Sequence, residues 1–262
     1  MALIFYERAI ALNRDRHQKL KIQLKADHFS FARKTNSVLI AGSEIGEAAR
    51  DYPLVFVGSE TGGFTLAALV GLNDKDNVLV DGEGHWEANT YIPAFIRRYP
   101  FVLAGTDGAE ALTVCVDEAY AGLNDDSGQP LFELDGSETA YLKGVIEFLV
   151  KFHGEMKRTN AFAEKVKEMG LLTSKVVTFE RDGVKKTLEG AWVIDEAALN
   201  VLDDNKLLEL VKTGYLGWIY AHLMSLKNIQ RLAKRMDSAR DAAAKSETAE
   251  SALTSVTSDA IH

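Results

Sequence analysis

The chain has 262 residues, 47% of them hydrophobic and 26% charged, and a formal net charge of −8. Twelve Phe, eight Tyr and three Trp supply the large groups of a folded core, which excludes wholesale disorder. The acidic balance argues against a nucleic-acid binder, and the single cysteine, Cys115, excludes an intramolecular disulfide framework or a Cys-rich zinc site.

In chain order, Pro53–Gly58 and Phe64–Gly71 are short apolar runs on either side of a Gly-containing loop, Ser59–Gly63, the pattern of a hairpin. Asn77–Val80 is expected to form a third strand. Phe101–Ala104 and Ala111–Val116 form a further pair, joined by a loop carrying Asp107-Gly108. Between these groups, Ile92, Phe95, Ile96 and Tyr99 recur at helical spacing, predicting a short helix over Tyr91–Tyr99 that Pro100 stops. The polar turn Asn124–Gly128 is expected to lead away from the sheet region.

A long helix is predicted from Ser137, as N-cap, to Met169, with Gly170 as its stop and Gly144 and Gly154 marking a bend or break. Lys175–Glu180 and Val184–Leu188 flank Arg181-Asp182-Gly183, a hairpin signal, and Trp192–Ile194 is expected to add another strand. Helices follow over Asp195–Leu202, Asp203–Thr213 and from Tyr215 onward, each opening near an Asp or after Gly214. The fold class is α+β. Residues 1–125 form an antiparallel, β-rich half with a short inserted helix; 126–236 form a helical half with the hairpin 175–188. Residues 237–262, rich in Ala, Ser, Thr, Asp and Glu, are expected to be a disordered tail.

Four sets of residues are candidates for chemistry. Asp81, Glu83, His85 and Glu87 alternate, so an extended backbone points all four one way, as a metal site or acid/base pair requires. The competing reading, which the spacing favours, is a Gly-rich turn with solvated charges. His222, on a very apolar helix, is either a general base or a core histidine bonded to a neighbour. Lys227, Arg231, Lys234 and Arg235 form a basic face suited to a polyanion or a membrane surface, or simply to solvent. Arg97 and Arg98 stand beside Tyr99, with Asp117 and Glu118 as expected ion-pair partners. An arginine left free there could hold an anionic or aromatic group. Cys115, between two valines, is expected to be buried and structural, and Gly62-Gly63 lacks the spacing of a phosphate loop.

Several blocks together resemble the bacterial SapC family associated with surface layers: Leu12–His17, Phe29–Ala32, Glu47–Val57, Tyr91–Ala104, Leu112–Glu118, Gln129–Phe132, Gly190–Glu196 and Leu216–Leu226. The peptide-transport permease sharing the name is a membrane protein, and no apolar run here approaches the roughly 20 residues of a membrane span. The resemblance implies surface-layer or serum-resistance association and genes lying beside flavin-dependent halogenases and TonB-dependent receptors. It carries over no catalytic residue and no cofactor. The expected function is a non-catalytic accessory or binding protein whose partner is a protein or a small anionic or aromatic ligand, with oligomeric state left open. The alternatives are an enzyme using His85 or His222 as acid/base and a structural surface-layer component. The start, Met1–Arg8, meets charge after six residues, unlike a Sec signal peptide, so the cytoplasm is the expected location, with the cell surface by a non-Sec route as alternative.

Overall fold

A computed structural model describes residues 4–105, 112–181 and 184–238. Leu54–Ser59 (β4) and Gly63–Leu69 (β5) form the predicted hairpin, in register from Leu54 opposite Ala68 to Ser59 opposite Gly63. Their alternation puts Leu54, Phe56, Leu66 and Ala68 fully out of solvent. Ser37–Leu39 (β3) adds to β5, and Leu172–Arg181 (β10) with Val184–Ile194 (β11) add on the other side, giving a five-stranded antiparallel sheet of order β10-β11-β4-β5-β3. Among the described residues, two smaller antiparallel sheets accompany it. One orders Ala9–Ala11 (β1), Thr113–Asp117 (β7) and Phe101–Ala104 (β6); the other places Lys21–Ile22 (β2) between Leu123–Asn124 (β8) and Gln129–Pro130 (β9).

Helices Ile45–Asp51 (α1), Ala94–Arg97 (α2), Ala140–Glu168 (α3), Glu196–Asn200 (α4), Asp204–Thr213 (α5) and Tyr215–Ser225 (α6) are followed by a helical stretch over 228–238. α3 and α6 meet over Phe56. Its ring lies 5.8 Å from Phe162 and 5.2 Å from His222, and Phe162 in turn packs edge-on to Trp218 at 5.3 Å. The α+β class is as expected. Among the described residues, no helix is long and apolar enough to cross a membrane.

Several local expectations are corrected. Asn77–Val80 is no strand, because the Asn77 side chain accepts from Leu79 N at 3.0 Å and donates to Ala32 O, folding a turn; only Val80 bridges, to Trp86. The helix expected over Tyr91–Tyr99 contracts to Ala94–Arg97. Pro93, at φ −57° and ψ 144°, is its N-cap, and Tyr91 N is already bonded to the Asp51 carboxylate at 2.8 Å. The Asn124–Gly128 turn leads back into a sheet, since β8 and β9 both pair with β2; Asn124 Oδ1 closes it by accepting from Asp126 and Ser127 N–H. Thr139, not Ser137, caps α3, its hydroxyl accepting from Leu142 N, while Ser137 is bonded to Asp135. Gly144 and Gly154 do not break α3. Each costs about 1 kcal/mol of helix preference, less than burial of Leu142, Leu149, Phe152, Met156 and Phe162 along its inner face returns. Trp192–Ile194 is the end of β11 rather than a new strand, and a register shift beyond Lys175 absorbs the extra residue.

The Asp195 and Asp203 carboxylates cap α4 and α5 as predicted, and Gly214, at φ +76°, ends α5. The Asp107-Gly108 loop, the Asp182-Gly183 turn and all but the first two residues of the tail expected over 237–262 lie outside the described residues; Asp237 and Ser238 are helical. The 228–238 stretch buries Leu232, Ala233 and Met236.

Gly42 shows how tightly α3 and α6 close on the loop before α1. Its N–H donates to Thr159 Oγ1 at 2.7 Å, and a Cβ here would sit 2.0 Å from the Trp218 ring. Gly42→Ala is expected to cost about 1–3 kcal/mol by overpacking, measured as a lowered midpoint in urea unfolding.

Candidate functional site

Arg97, the last residue of α2, and Arg98, its C-cap, differ in burial. Arg97 is exposed: its Nε donates to Ile92 O at 2.9 Å, its Nη2 donates to Tyr91 Oη at 3.2 Å and lies 3.7 Å from Glu44 Oε1. Glu44 is buried and accepts from Ala41 N, Ala94 N and Tyr91 Oη, so it joins the loop before α1 to the start of α2. Burial, and then the Glu44 carboxylate, push the Tyr91 phenol well above its ordinary pKa. Arg98 is only 4% exposed, with its guanidinium 4.1 Å from the Phe95 ring centroid and 5.5 Å from that of Phe152. Burial lowers its pKa.

The carboxylates expected to pair with these arginines are used otherwise. Asp117, fully buried, accepts from Glu7 N at 3.1 Å, Arg8 N at 2.8 Å, Ala119 N at 3.2 Å and Tyr99 Oη at 3.2 Å. Glu118 pairs with Arg8 at 3.0 Å and Arg16 at 2.7 Å.

Tyr99 lines an opening. Its hydroxyl is fixed by Asp117, and its ring stacks on Phe31 with centroids 3.9 Å apart and planes at 25°. Tyr6 lies 5.4 Å from Tyr99, and Phe5 packs on Phe31 at 5.3 Å. These four rings line a cleft of about 550 Å³, which Thr35, Asn36, Lys34, Lys75, Glu7 and Asp74 complete. Both lysines are exposed. The His28 ring flanks the stacked pair, 6.1 Å from Phe31 and 6.4 Å from Tyr99, with its Nδ1 3.2 Å from Tyr120 Oη. Burial lowers the His28 pKa, which keeps the imidazole neutral at pH 7. The arrangement suits a flat apolar ligand carrying a charged end: stacked rings offer a face, and the lysines offer charge at the mouth.

The other predicted residues lie elsewhere. His222 sits between α6 and the central sheet, fully buried, its Nε2 accepting from Ile194 N at 3.1 Å; burial pulls its pKa down to about 4. At Asp81–Glu87 the backbone is a turn, not the extended strand that would point four side chains one way. Asp81 Oδ1 accepts from both Glu83 and His85 N–H, and Glu87 is paired with Arg235 at 3.0 Å. His85 Nδ1 lies 3.4 Å from Asp81 Oδ2 on the open surface. Among the described residues, no three His, Cys, Asp or Glu side chains are grouped so as to hold a metal. Of the basic face, Arg231 donates to Arg50 O and, with Lys234 and Arg235, lines another cleft, of about 440 Å³. Cys115 is buried and free, its thiol pushed up by burial.

Sequence reasoning missed Phe5, Tyr6, Phe31, Lys34 and Lys75 as partners of Tyr99. The only signal was the density of aromatic residues at Phe5-Tyr6 and Phe29–Phe31, with nothing to say where those rings go.

The family model for SapC matches residues 12–232. The chain belongs to the SapC family. No curated protein and no solved structure matches it. The matched SapC span holds Phe31, Lys34, Lys75 and Tyr99, and it begins beyond Phe5 and Tyr6, so the family region supplies most of the cleft and the preceding residues complete one wall.

Proposed function

We propose that this SapC-family chain is a non-catalytic binding protein and that the cleft at Tyr99 seats a small planar aromatic carboxylate. The observation that carries the reading is the stacked Phe31–Tyr99 pair lining a concave surface beside Lys34 and Lys75. A ring sliding against that wall gains apolar burial and stacking, and a carboxylate at the mouth meets two ammonium groups. Glu7 and Asp74 at the same cleft disfavour a ligand with more than one negative charge.

Calorimetric titration with 2-naphthoate tests the proposal, with 2-naphthylmethanol as the uncharged control. Wild-type protein is expected to bind both. The double variant Lys34→Glu/Lys75→Glu should lose about tenfold in affinity for the carboxylate, roughly 1.4 kcal/mol, and little for the alcohol. Both lysines are exposed, so the variant keeps its fold. Absence of binding by wild type, or carboxylate binding indifferent to both charge reversals, overturns the reading.

A further inference from the structure

α5 buries only Leu210 and leaves an apolar stripe in water. Leu207, Leu208 and Val211 are 37%, 48% and 54% exposed. At 100° per residue, these three side chains project from one flank of the helix, about a quarter-turn from Leu210, and Asp204 falls among them with Lys212 at the edge. Neighbouring charges on α5 are taken: Lys206 lies 3.6 Å from Asp203 and Glu209 lies 3.0 Å from Lys165. Asp204 and Lys212 have no ion pair among the described residues. α6, packed against α5, exposes Tyr220 and Met224 on its own solvent side, and Val201 is exposed in the turn before α5.

We propose that the occupant of this stripe is the same stripe on a second copy of the chain, laid antiparallel about a two-fold axis near Leu208. Charge and helix direction select that partner. The antiparallel arrangement places Asp204 of each copy opposite Lys212 of the other, forming two ion pairs, and it opposes the two helix dipoles. A parallel arrangement would set Asp204 against Asp204 and Lys212 against Lys212. Leu207, Leu208 and Val211 then fill the seam between the ion pairs, as apolar residues three and four apart do between packed helices. An interface of this kind is self-complementary, so it closes at two copies.

Sedimentation velocity on the full chain, from low to high micromolar, tests it. Wild type is expected to pass from monomer to dimer. Leu208→Glu should abolish the dimer with an unchanged circular dichroism spectrum, because the side chain it replaces is already half in water. Asp204→Lys should weaken the dimer at least tenfold, and so should Lys212→Asp. The double exchange Asp204→Lys/Lys212→Asp should restore it, a result that general loss of stability cannot give. A wild-type chain that stays monomeric overturns the proposal. A dimer indifferent to Leu208→Glu and to the charge reversals uses another surface and equally overturns it.

Discussion

Lowering the pH from 7 to 4 is expected to remove about 3 kcal/mol of folding stability through His222 alone. Its pKa in the folded protein is drawn down to about 4 by burial beneath α6, against an ordinary value of 6.5. The folded state therefore keeps the imidazole neutral over a range in which the unfolded chain takes up a proton. The stability contributed is fully present above pH 6.5, and it is lost progressively as the pH falls toward the folded-state pKa near 4. Below that point the folded form also binds the proton and the loss levels off. Urea unfolding at a series of pH values measures the slope. His222→Gln supplies an amide oxygen for the Ile194 N–H and removes the titration, so its slope between pH 6.5 and 4 should be much flatter. His17 and His28, whose pKa values burial also lowers, contribute to the residual slope. A His222→Gln protein with the wild-type slope would show that the acid sensitivity lies elsewhere.

Asp117→Ala is expected to cost about 3–5 kcal/mol, the range for removing one member of a buried, charge-assisted network. Three backbone N–H groups, of Glu7, Arg8 and Ala119, and the Tyr99 hydroxyl would lose their acceptor together. Asp117→Asn retains one side-chain oxygen and should lose about half as much. The consequence reaches the cleft, because Asp117 both fixes Tyr99 and holds the segment that brings Tyr6 and Glu7 to it. Hydrogen exchange at the Glu7 and Arg8 amides should accelerate in Asp117→Asn, and 2-naphthoate binding should weaken in parallel. Slow, wild-type exchange at those two amides in that variant would refute this role for Asp117.

Much of the fold was legible because its signals are local. The β4–β5 hairpin is written in alternation around a short Gly-containing loop, α3 in helical spacing of large apolar residues, and the starts of α4 and α5 in single capping aspartates. Some failures are local choices between neighbouring caps, as at Ser137 and Thr139, and others come from a bond to a residue distant in sequence. Tyr91 looks like the first turn of a helix until the Asp51 carboxylate, forty positions earlier, takes its amide. Asn77–Val80 has the composition of a strand, but Asn77 reaches back to Ala32 and turns the chain. The arginines fared similarly. Asp117 was a reasonable partner by charge, yet its oxygens go to backbone groups at residues 7, 8 and 119, and no pattern in the sequence encodes that choice. Tyr99 was named as part of a site, while the ring that stacks on it, Phe31, comes from a segment with no periodic relation to it.

The order in which the chain is synthesised gives the pairing of β1 with β7 a further meaning. Ala9–Ala11 leaves the ribosome about a hundred residues before Thr113–Asp117, a delay of roughly 5–20 s at ordinary elongation rates. The β4–β5 hairpin can close at once. The N-terminal strand must wait, with Phe5, Tyr6 and Phe31 in water and no Tyr99 to receive them. Later still, the inner face of the hairpin stays uncovered until Phe162 and then His222 emerge. A nascent chain halted before α3 should therefore present Leu54, Phe56 and Leu66 to whatever binds exposed apolar surface, and this protein should depend on chaperones for longer during synthesis than its length alone would require.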